Sequence, residues 1–291
     1  MAYKILFHES LTPVTHRIVV EAPQIGPKAK PGQFVIIRVN ETGERVPFTI
    51  AKPDPEKGTV ELIFQEVGKT SKLLGTLREG DELLDIVGPL GQPTEIENFG
   101  HVVSVGGGYG NAVLLPITAG LKAAGNKVTT IIGARSKDLI ILEDDLRKVS
   151  DELIVCTDDG SYGVHGFVTV ELEKLLKSGT QVDFVLAIGP LPMMEAVSNM
   201  TEPYGIKTIV SLNPIMVDGT GMCGACRVEV HGETKFACVD GPEFDGHGVN
   251  YDSLRERLAA YLQMEKMADE KFEAERAKLK EECKCPNESQ G

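Results

Sequence analysis

Three cysteines and one aspartate in the last third of the chain have the types and the spacing of a metal-ligand set. They are Asp218, Cys223, Cys226 and Cys238, in the pattern D-x4-C-x2-C-x11-C. A plant-type [2Fe-2S] loop has the pattern C-x4-C-x2-C…C, so an aspartate stands here where the first cysteine is expected. We therefore predict that three thiolates and one carboxylate ligate the irons of a [2Fe-2S] cluster.

Two other interpretations of these residues stay open. The same side chains could hold zinc as a Cys3Asp site, or the cysteines could be reduced core thiols. Zinc sites of this kind usually have two C-x2-C pairs, and this loop has one. The glycines of the loop favour the cluster, because backbone N–H groups can approach inorganic sulfides where no Cβ intervenes; they are Gly219, Gly221 and Gly224.

The hexapeptide RVPFTI, residues 45–50, combines a cation, an aromatic ring and a hydroxyl on or beside one predicted strand. A flavin nucleotide needs a guanidinium at its pyrophosphate, a ring against the isoalloxazine or adenine, and a hydroxyl near flavin N5. Arg45, Phe48 and Thr49 fit these roles in that order. Pro47 belongs to the same predicted FAD site and can disturb the strand alternation. An ordinary strand with one surface arginine would look similar.

A predicted helix start in VGKTSKLLGTL is a second candidate for FAD binding. Glycine and hydroxyl residues at a helix start offer free N–H groups and the positive end of the helix dipole to a phosphate. We therefore add Gly68, Thr70 and Ser71 to the predicted FAD site. An ordinary capped helix would have much the same sequence.

The glycine run VGGGYG, residues 105–110, follows a predicted strand and opens a predicted helix. Glycines there permit a tight turn and the close approach of a pyrophosphate to the helix start. Gly107 and Gly108 are thus predicted to bind a dinucleotide, although the full G-x-G-x-x-G pattern is missing.

Three further candidates follow later predicted strands: Arg135, Asp158 and Gly189. Ligands of an open parallel sheet lie beyond the carboxyl ends of its strands, so we predict that all three face the same nucleotide. Asp158 suits a ribose or carboxamide, and Arg135 suits the adenosine side. We predict NAD(H), with NADP(H) as the alternative, because Arg135 and Ser136 could also receive a 2′-phosphate.

The elements that must hold these candidates divide the chain into four predicted parts. Short β-rich runs separated by Gly and Pro predict an antiparallel β-barrel over 1–98, the FAD domain. Alternating apolar strands and helical windows predict an α/β Rossmann-like domain over 99–210, which binds NAD(H). The iron–sulfur loop follows over 211–250. A charged tail over 251–291 is predicted to form a terminal amphipathic helix that packs on the other domains or docks a partner.

Composition and charge limit the predicted compartment of the protein and the classes of partner that it can bind. The 291 residues include 30 Lys and Arg against 43 Asp and Glu, a net charge of −13, so nucleic acid is not a predicted partner. We expect no signal peptide and, without an apolar run of roughly 20 residues, no membrane association. Six clustered cysteines favour a reducing cytoplasm and metal ligation over disulfides. Cys283 and Cys285 are expected to be reduced tail residues without a metal.

The order of these motifs resembles that of the ferredoxin-NADP reductase superfamily. The motifs are RVPFTI, VGKTS, GDELLDIVGPLG, VGGGYG and GPLPMM, followed by the cysteine loop, and the resemblance covers about residues 1–255. One branch of that superfamily contains dihydroorotate dehydrogenase electron-transfer subunits, whose loop has four cysteines. With Asp218, the chain is more similar to the small (alpha) subunits of NADH-dependent reduced ferredoxin:NADP oxidoreductases, also described as sulfide dehydrogenase small subunits.

The resemblance implies FAD on the barrel, NAD(H) on the Rossmann-like domain and a [2Fe-2S] cluster in the loop. It also implies a heterodimer with a larger subunit that carries a second FAD, [4Fe-4S] clusters and the NADP(H) site. Electron bifurcation would take place on that partner, and ferredoxin would be reached through the complex. By position, Arg45, Phe48, Thr49, Gly68 and Thr70 would touch FAD, and Gly107, Gly108 and Asp158 would lie at the nicotinamide nucleotide.

Together the sites predict an oxidoreductase subunit that converts two-electron into one-electron transfer. NADH gives two electrons at once to a flavin and the cluster accepts one at a time, so no protein acid or base is required. Asp218 is expected to alter the cluster potential and its pH dependence, since a carboxylate is harder than a thiolate and can be protonated. The alternatives are an electron-transfer subunit of an NAD-linked dihydroorotate dehydrogenase, a sulfide or polysulfide reductase subunit, or a zinc-bearing regulatory module.

Overall fold

The computed structural model describes residues 3–282, and its N-terminal part is a nearly closed antiparallel barrel. The strand order is β6-β1-β2-β5-β4-β3-β7. Alternate side chains of β2, such as Ile18 and Val20, enter a core that also holds Leu62 and Phe64. The strands are β1 (Tyr3–Thr12), β2 (Thr15–Glu21), β3 (Phe34–Arg38), β4 (Arg45–Asp54), β5 (Thr59–Gln65), β6 (Glu82–Leu83) and β7 (Asp85–Leu90), and helix α1 (Lys69–Thr76) lies between β5 and β6.

The middle of the chain forms a parallel sheet with helices between its strands. These strands are near-continuous apolar runs because helices cover the sheet. The strands are β8 (His101–Gly107), β9 (Lys127–Ala134), β10 (Glu152–Thr157), β11 (Val164–His165), β12 (Phe184–Ile188) and β13 (Lys207–Ser211). The helices are α2 (Gly110–Ala123), α3 (Glu143–Lys148), α4 (Val168–Lys177) and α5 (Leu191–Thr201), with single 3-10 turns at Lys137–Leu139 and Glu202–Tyr204.

The cysteine segment packs on both of these units. It contains a hairpin of β14 (Arg227–Val230) and β15 (Glu233–Phe236). Strand β16 (Glu243–Asp245) then pairs antiparallel with β13 and completes the sheet order β11-β10-β9-β8-β12-β13-β16. Barrel residues Phe34 and Ile36 share one apolar cluster with Cys226 and Cys238, so the loop is held against the barrel.

Two helices, not one, follow the cysteine segment. After a 3-10 turn at Gly246–Gly248 come α6 (Tyr251–Ala259) and α7 (Leu262–Glu282). The long helix is tied to the barrel, because Lys72 of α1 lies 2.8 Å from Asp269 and 2.9 Å from Glu273. Within residues 3–282 no helix is long and apolar enough to cross a membrane. Cys283 and Cys285 lie outside the described residues.

The predicted fold class is confirmed: an antiparallel barrel, a Rossmann-like sheet, an iron–sulfur segment and a terminal helix follow one another. The limits proposed at 98, 210 and 250 remain predictions. The segment after 210 is not separate from the sheet before it, since β16 forms the edge of that sheet.

Glu243 on β16 gives the fold a testable pH dependence. Its carboxylate accepts a 2.6 Å hydrogen bond from Thr94, and burial raises its pKa from 4.5 to about 7. The folded state therefore binds this proton more tightly than the unfolded state. Its contribution is fully favourable below about pH 4.5 and is lost as the pH rises to 7.

We expect Glu243→Gln to raise the free energy of unfolding by roughly 1–2 kcal/mol at pH 8.5 and by much less at pH 5.5. Thermal unfolding of both proteins at the two pH values measures this. The control is Glu233→Gln, at an exposed carboxylate paired with Lys235. An equal change for Glu243→Gln at both pH values would contradict the assignment.

Candidate functional site

The four predicted iron ligands lie in the structure as two pairs. The sulfurs of Cys226 and Cys238 are 3.2 Å apart, and both side chains are buried. Burial and the neighbouring thiol of Cys226 raise the pKa of Cys238 to about 12. The Cys238 thiol is therefore protonated in the absence of a metal, and a metal would have to displace that proton in order to bind.

The second pair is Asp218 and Cys223, at the exposed end of the loop. One carboxylate oxygen of Asp218 accepts the Thr220 N–H at 2.9 Å, and the other accepts the Cys223 N–H at 3.1 Å. These hydrogen bonds, led by that of Thr220, lower the pKa of Asp218. An ionised carboxylate is therefore already turned toward Cys223, whose sulfur is exposed.

The two pairs are compatible with the ligands of an iron–sulfur cluster. Among residues 3–278, no three His, Cys, Asp or Glu side chains converge as a site for one metal ion. A [2Fe-2S] cluster spreads four protein ligands over two irons, so two separated pairs suit it. Gly219 has φ +81°, and a Cβ there would lie 2.6 Å from Leu90, so a glycine lets the loop pack closely on the barrel.

The predicted FAD residues of α1 and β4 come together at one end of the barrel. The Thr70 hydroxyl donates to Glu44 at 2.9 Å, which brings the N-terminus of α1 beside the start of β4. No atom lies within 4 Å of a Cβ built on Gly68, so the helix start is open to a ligand. The Ser71 hydroxyl accepts the N–H of Gly68 and caps the helix; its predicted contact with FAD remains a prediction.

Arg45 links this end of the barrel to the iron–sulfur loop. Its Nε donates to the Val217 carbonyl at 2.9 Å, and a terminal nitrogen lies 3.3 Å from Asp85. Val217 immediately precedes Asp218. One guanidinium therefore bridges the predicted flavin strand and the first predicted iron ligand.

Strand β4 alternates regularly through Pro47, in spite of the proline. Phe48 is 7% exposed and packs edge-on against Phe64, with ring centroids 5.6 Å apart. Pro47 and Thr49 are partly exposed on the other face. The Phe48 ring therefore packs against the barrel core, while Pro47 and Thr49 lie on the more exposed face of the strand. The predicted contacts of these three residues with FAD remain predictions.

The predicted nucleotide glycines meet at the carboxyl ends of two adjacent strands. A Cβ on Gly189, after β12, would lie 3.1 Å from the Cα of Gly107, the last residue of β8. Gly108 has φ +55°, donates its N–H to Gly133 at 2.7 Å, and has open space where a Cβ would be. The turn is thus closely packed on one side and open to a ligand on the other.

Arg135 and Asp158 lie at the same edge of the sheet, after β9 and β10. Both side chains are exposed, and the Asp158 N–H donates to the Ala134 carbonyl at 3.1 Å. The structure thus places all the predicted nucleotide residues along one sheet edge. Their individual contacts with a nucleotide remain predictions.

Tyr109, inside the glycine run, was missed from the sequence. Burial raises the pKa of its hydroxyl to about 12, while hydrogen bonding to Thr49 acts in the opposite direction. Tyr109 therefore connects the predicted nucleotide turn to the residue predicted near flavin N5. The only signal in the sequence was that Tyr109 places an aromatic residue between two glycines of the predicted dinucleotide turn.

Comparison with known proteins places the chain in a family. A family model for the iron-sulfur cluster binding domain of dihydroorotate dehydrogenase B matches residues 213–250. A dihydroorotate dehydrogenase B (NAD(+)) electron transfer subunit homolog of Thermotoga maritima is 51% identical over 253 residues, covering 87% of this chain and 89% of the relative. The corresponding subunit of Desulforamulus reducens is 34% identical over 257 residues, covering 86% and 97%.

A solved structure gives a further match. It is a chain of an NADH-dependent reduced ferredoxin-NADP oxidoreductase, reported for its insights into flavin-based electron bifurcation. The sequences are 47% identical, the TM-score is 0.88, and the match covers 94% of this chain and 98% of the other. The resemblance drawn from the motifs is confirmed. The chain therefore belongs to the family of dihydroorotate dehydrogenase B electron-transfer subunits and their homologues, and it is an oxidoreductase chain of the ferredoxin-reductase type.

Proposed function

We propose that the chain is the small subunit of an electron-bifurcating NADH-dependent reduced ferredoxin:NADP oxidoreductase. In that role it moves electrons between NAD(H), FAD and an iron–sulfur cluster. The observation that carries the proposal is Asp218, an ionised carboxylate turned toward Cys223 at the first ligand position of the loop. The match to a solved oxidoreductase of this kind over 94% of the chain supports it.

FAD, NAD(H) and an iron–sulfur cluster are the cofactors of the chain, and the [2Fe-2S] type is part of the proposal. When bound, the flavin takes two electrons from a nicotinamide and releases them singly. The protein's own residues orient the parts. Arg45 would offer its guanidinium to a pyrophosphate placed beside Gly68 and Thr70, and Gly107 and Gly108 would leave the helix start at α2 open to a dinucleotide.

Because one ligand pair is buried and the other lies at the exposed end of the loop, the two irons of a bound cluster would differ in their exposure to solvent. Cys226 and Cys238 would hold the iron that faces the core, and Asp218 and Cys223 the iron nearer the surface. The buried thiols exclude water from the inner side, while the exposed pair leaves the outer side accessible. The inner side of the loop would then face the barrel, and its outer side would be available to a partner.

The chain is a subunit, so it acts with another protein. We propose that the partner is a larger subunit with a second flavin, [4Fe-4S] clusters and the NADP(H) site, and that ferredoxin is reached through the complex. The net charge of −13 favours a neutral or basic docking surface on the partner.

A second candidate function has support from the relatives' names. The Desulforamulus reducens relative is called an electron transfer subunit of dihydroorotate dehydrogenase B, and this chain could deliver electrons to such an enzyme. Asp218 argues against it, because the subunits of that branch have a cysteine at the position that Asp218 occupies in this chain. Co-purification with a dihydroorotate-oxidising enzyme would favour this second function. A sulfide or polysulfide reductase subunit remains a further alternative.

The ligand role of Asp218 is tested by Asp218→Cys. After dithionite reduction of anaerobically purified protein, we expect one S = 1/2 centre per chain in both proteins, with a different g-tensor in the variant. The ratio of reduced to oxidised cluster at a fixed potential should change by about tenfold, since a fourth thiolate alters the charge and softness of the ligand set.

A matched control for this variant exists elsewhere in the chain. Asp159 makes the same local turn as Asp218, since it accepts the Ser161 N–H at 2.9 Å. It lies after β10, at the sheet edge predicted to bind the nucleotide, and is far from Asp218 in sequence. Asp159→Cys should leave the spectrum unchanged. An identical spectrum and potential in Asp218→Cys would remove Asp218 from the ligand set, and a colourless wild-type protein loaded with zinc would overturn the proposed function.

A further inference from the structure

The loop between Cys223 and Cys226 is held from behind by an arginine of helix α6. Arg257 donates from a terminal nitrogen to the Ala225 carbonyl at 2.9 Å. Ala225 immediately precedes the buried ligand Cys226. The Arg257 guanidinium is therefore bonded to the residue that precedes the predicted ligand Cys226. No sequence motif connected helix α6 with the cluster.

Helix α6 is fixed firmly enough to hold that guanidinium in place. Its N-cap Asn250 accepts the Ser253 N–H at 3.0 Å, and the Tyr251 hydroxyl lies 2.8 Å from Ser198 of α5. Leu254, one turn before Arg257, is 1% exposed and packs in the same apolar cluster as Cys226. Because Leu254 is three residues from Arg257, both side chains lie on the face toward the loop.

The positive charge of Arg257 is not neutralised by a carboxylate. Within residues 3–278, Arg257 makes no ion pair, and its Nε is buried without a hydrogen-bond partner. A half-buried guanidinium whose Nε is buried without a partner is costly unless a negative group lies nearby. Thiolates in the cysteine loop would be such groups.

Arg227 lies against the same turn from its exposed side. One terminal nitrogen is 3.1 Å from the position of a Cβ on Gly224. Like Arg257, Arg227 makes no ion pair within residues 3–278. Two uncompensated guanidinium groups therefore flank the Gly224–Ala225 turn.

We propose that Arg227 and Arg257 set the reduction potential of the cluster, with Arg257 also positioning the turn before Cys226. This inference rests on the proposed iron–sulfur site. Reduction adds one electron, and thus one negative charge, to a centre that already has three thiolates and a carboxylate. Fixed positive charge stabilises the reduced form and raises the potential. Arg257 has the larger effect, because it is half-buried and less screened by water than Arg227.

The test is a potentiometric titration of the whole protein, followed by electron paramagnetic resonance. At the wild-type midpoint we expect Arg257→Gln to lower the ratio of reduced to oxidised cluster by about tenfold, and Arg227→Gln by about two- to threefold. Arg257→Lys keeps the charge and should keep most of the wild-type ratio. The control is Arg255→Gln on the same helix, whose guanidinium is paired with Glu195 and Asp252 and should not affect the potential.

The outcomes separate this inference from the proposed function. A wild-type protein without an S = 1/2 signal would defeat the proposed function itself. A wild-type signal with an unchanged midpoint in Arg257→Gln would overturn the role of the arginines. If Arg257→Gln does not take up iron, the test rests on Arg227→Gln, because the Arg227 side chain is exposed and its removal should leave the fold intact. An unchanged midpoint potential in Arg227→Gln would then refute the proposed role of both arginines.

Discussion

Cys226→Ala is expected to abolish the iron–sulfur centre. Its sulfur lies 3.2 Å from that of Cys238, and both are buried, so no water can replace a missing thiolate on that side. We expect iron and acid-labile sulfide to fall below about a tenth of the wild-type content, because loss of one of two inner ligands opens the coordination of that iron. The visible absorption at wavelengths longer than the flavin bands should disappear together with the cluster.

The matched control for this loss is Cys156→Ala. Cys156 is 1% exposed in β10, and burial raises the pKa of its thiol to about 11, as expected of a core residue. It lies in the nucleotide sheet and is not one of the predicted ligands. Its variant should keep full iron content. If Cys226→Ala kept its iron, or if both variants lost it equally, the inner pair could not be a ligand pair.

The parts of the molecule that follow a period or a spacing were predictable from the sequence. The barrel and the parallel sheet follow from short alternating runs and from apolar runs that alternate with helical windows. The cluster ligands follow from one spacing that few other sites share. Helices α2 and α4 follow from the same alternation, and glycines flank both of them in the sequence.

The parts that depend on contacts distant in sequence were not predictable. Strand β16 has three residues and no alternation to mark it, and only pairing with β13 makes it a strand. The single helix expected after 251 is divided near Ala260, which no proline or glycine marks. The packing of Phe48 on Phe64 joins β4 to β5 and is not marked in the motif RVPFTI. The contacts of Tyr109 with Thr49 and of Arg257 with Ala225 join segments far apart in sequence.

Arg45→Gln is expected to weaken FAD binding by about 10- to 100-fold. A charge-assisted hydrogen bond from a guanidinium to a phosphate contributes roughly 1.5–3 kcal/mol, and the neutral amide loses both the charge and the paired donors. Dissociation constants are measured by the recovery of flavin fluorescence on dilution. Arg45→Lys, which keeps the charge but not the planar pair of donors, should lie between the two.

The same substitution should also be felt at the cluster. Arg45 holds the Val217 carbonyl at 2.9 Å, next to Asp218, so its loss frees the outer end of the loop. We expect a broader S = 1/2 signal from Arg45→Gln even when FAD is added in excess. Arg17, which is paired with Glu9 and Glu61 on another strand of the barrel, provides the control, and Arg17→Gln should change neither property. Wild-type FAD affinity in Arg45→Gln would show that the flavin pyrophosphate lies elsewhere on the barrel, and an unaltered signal would show that the two centres are held independently.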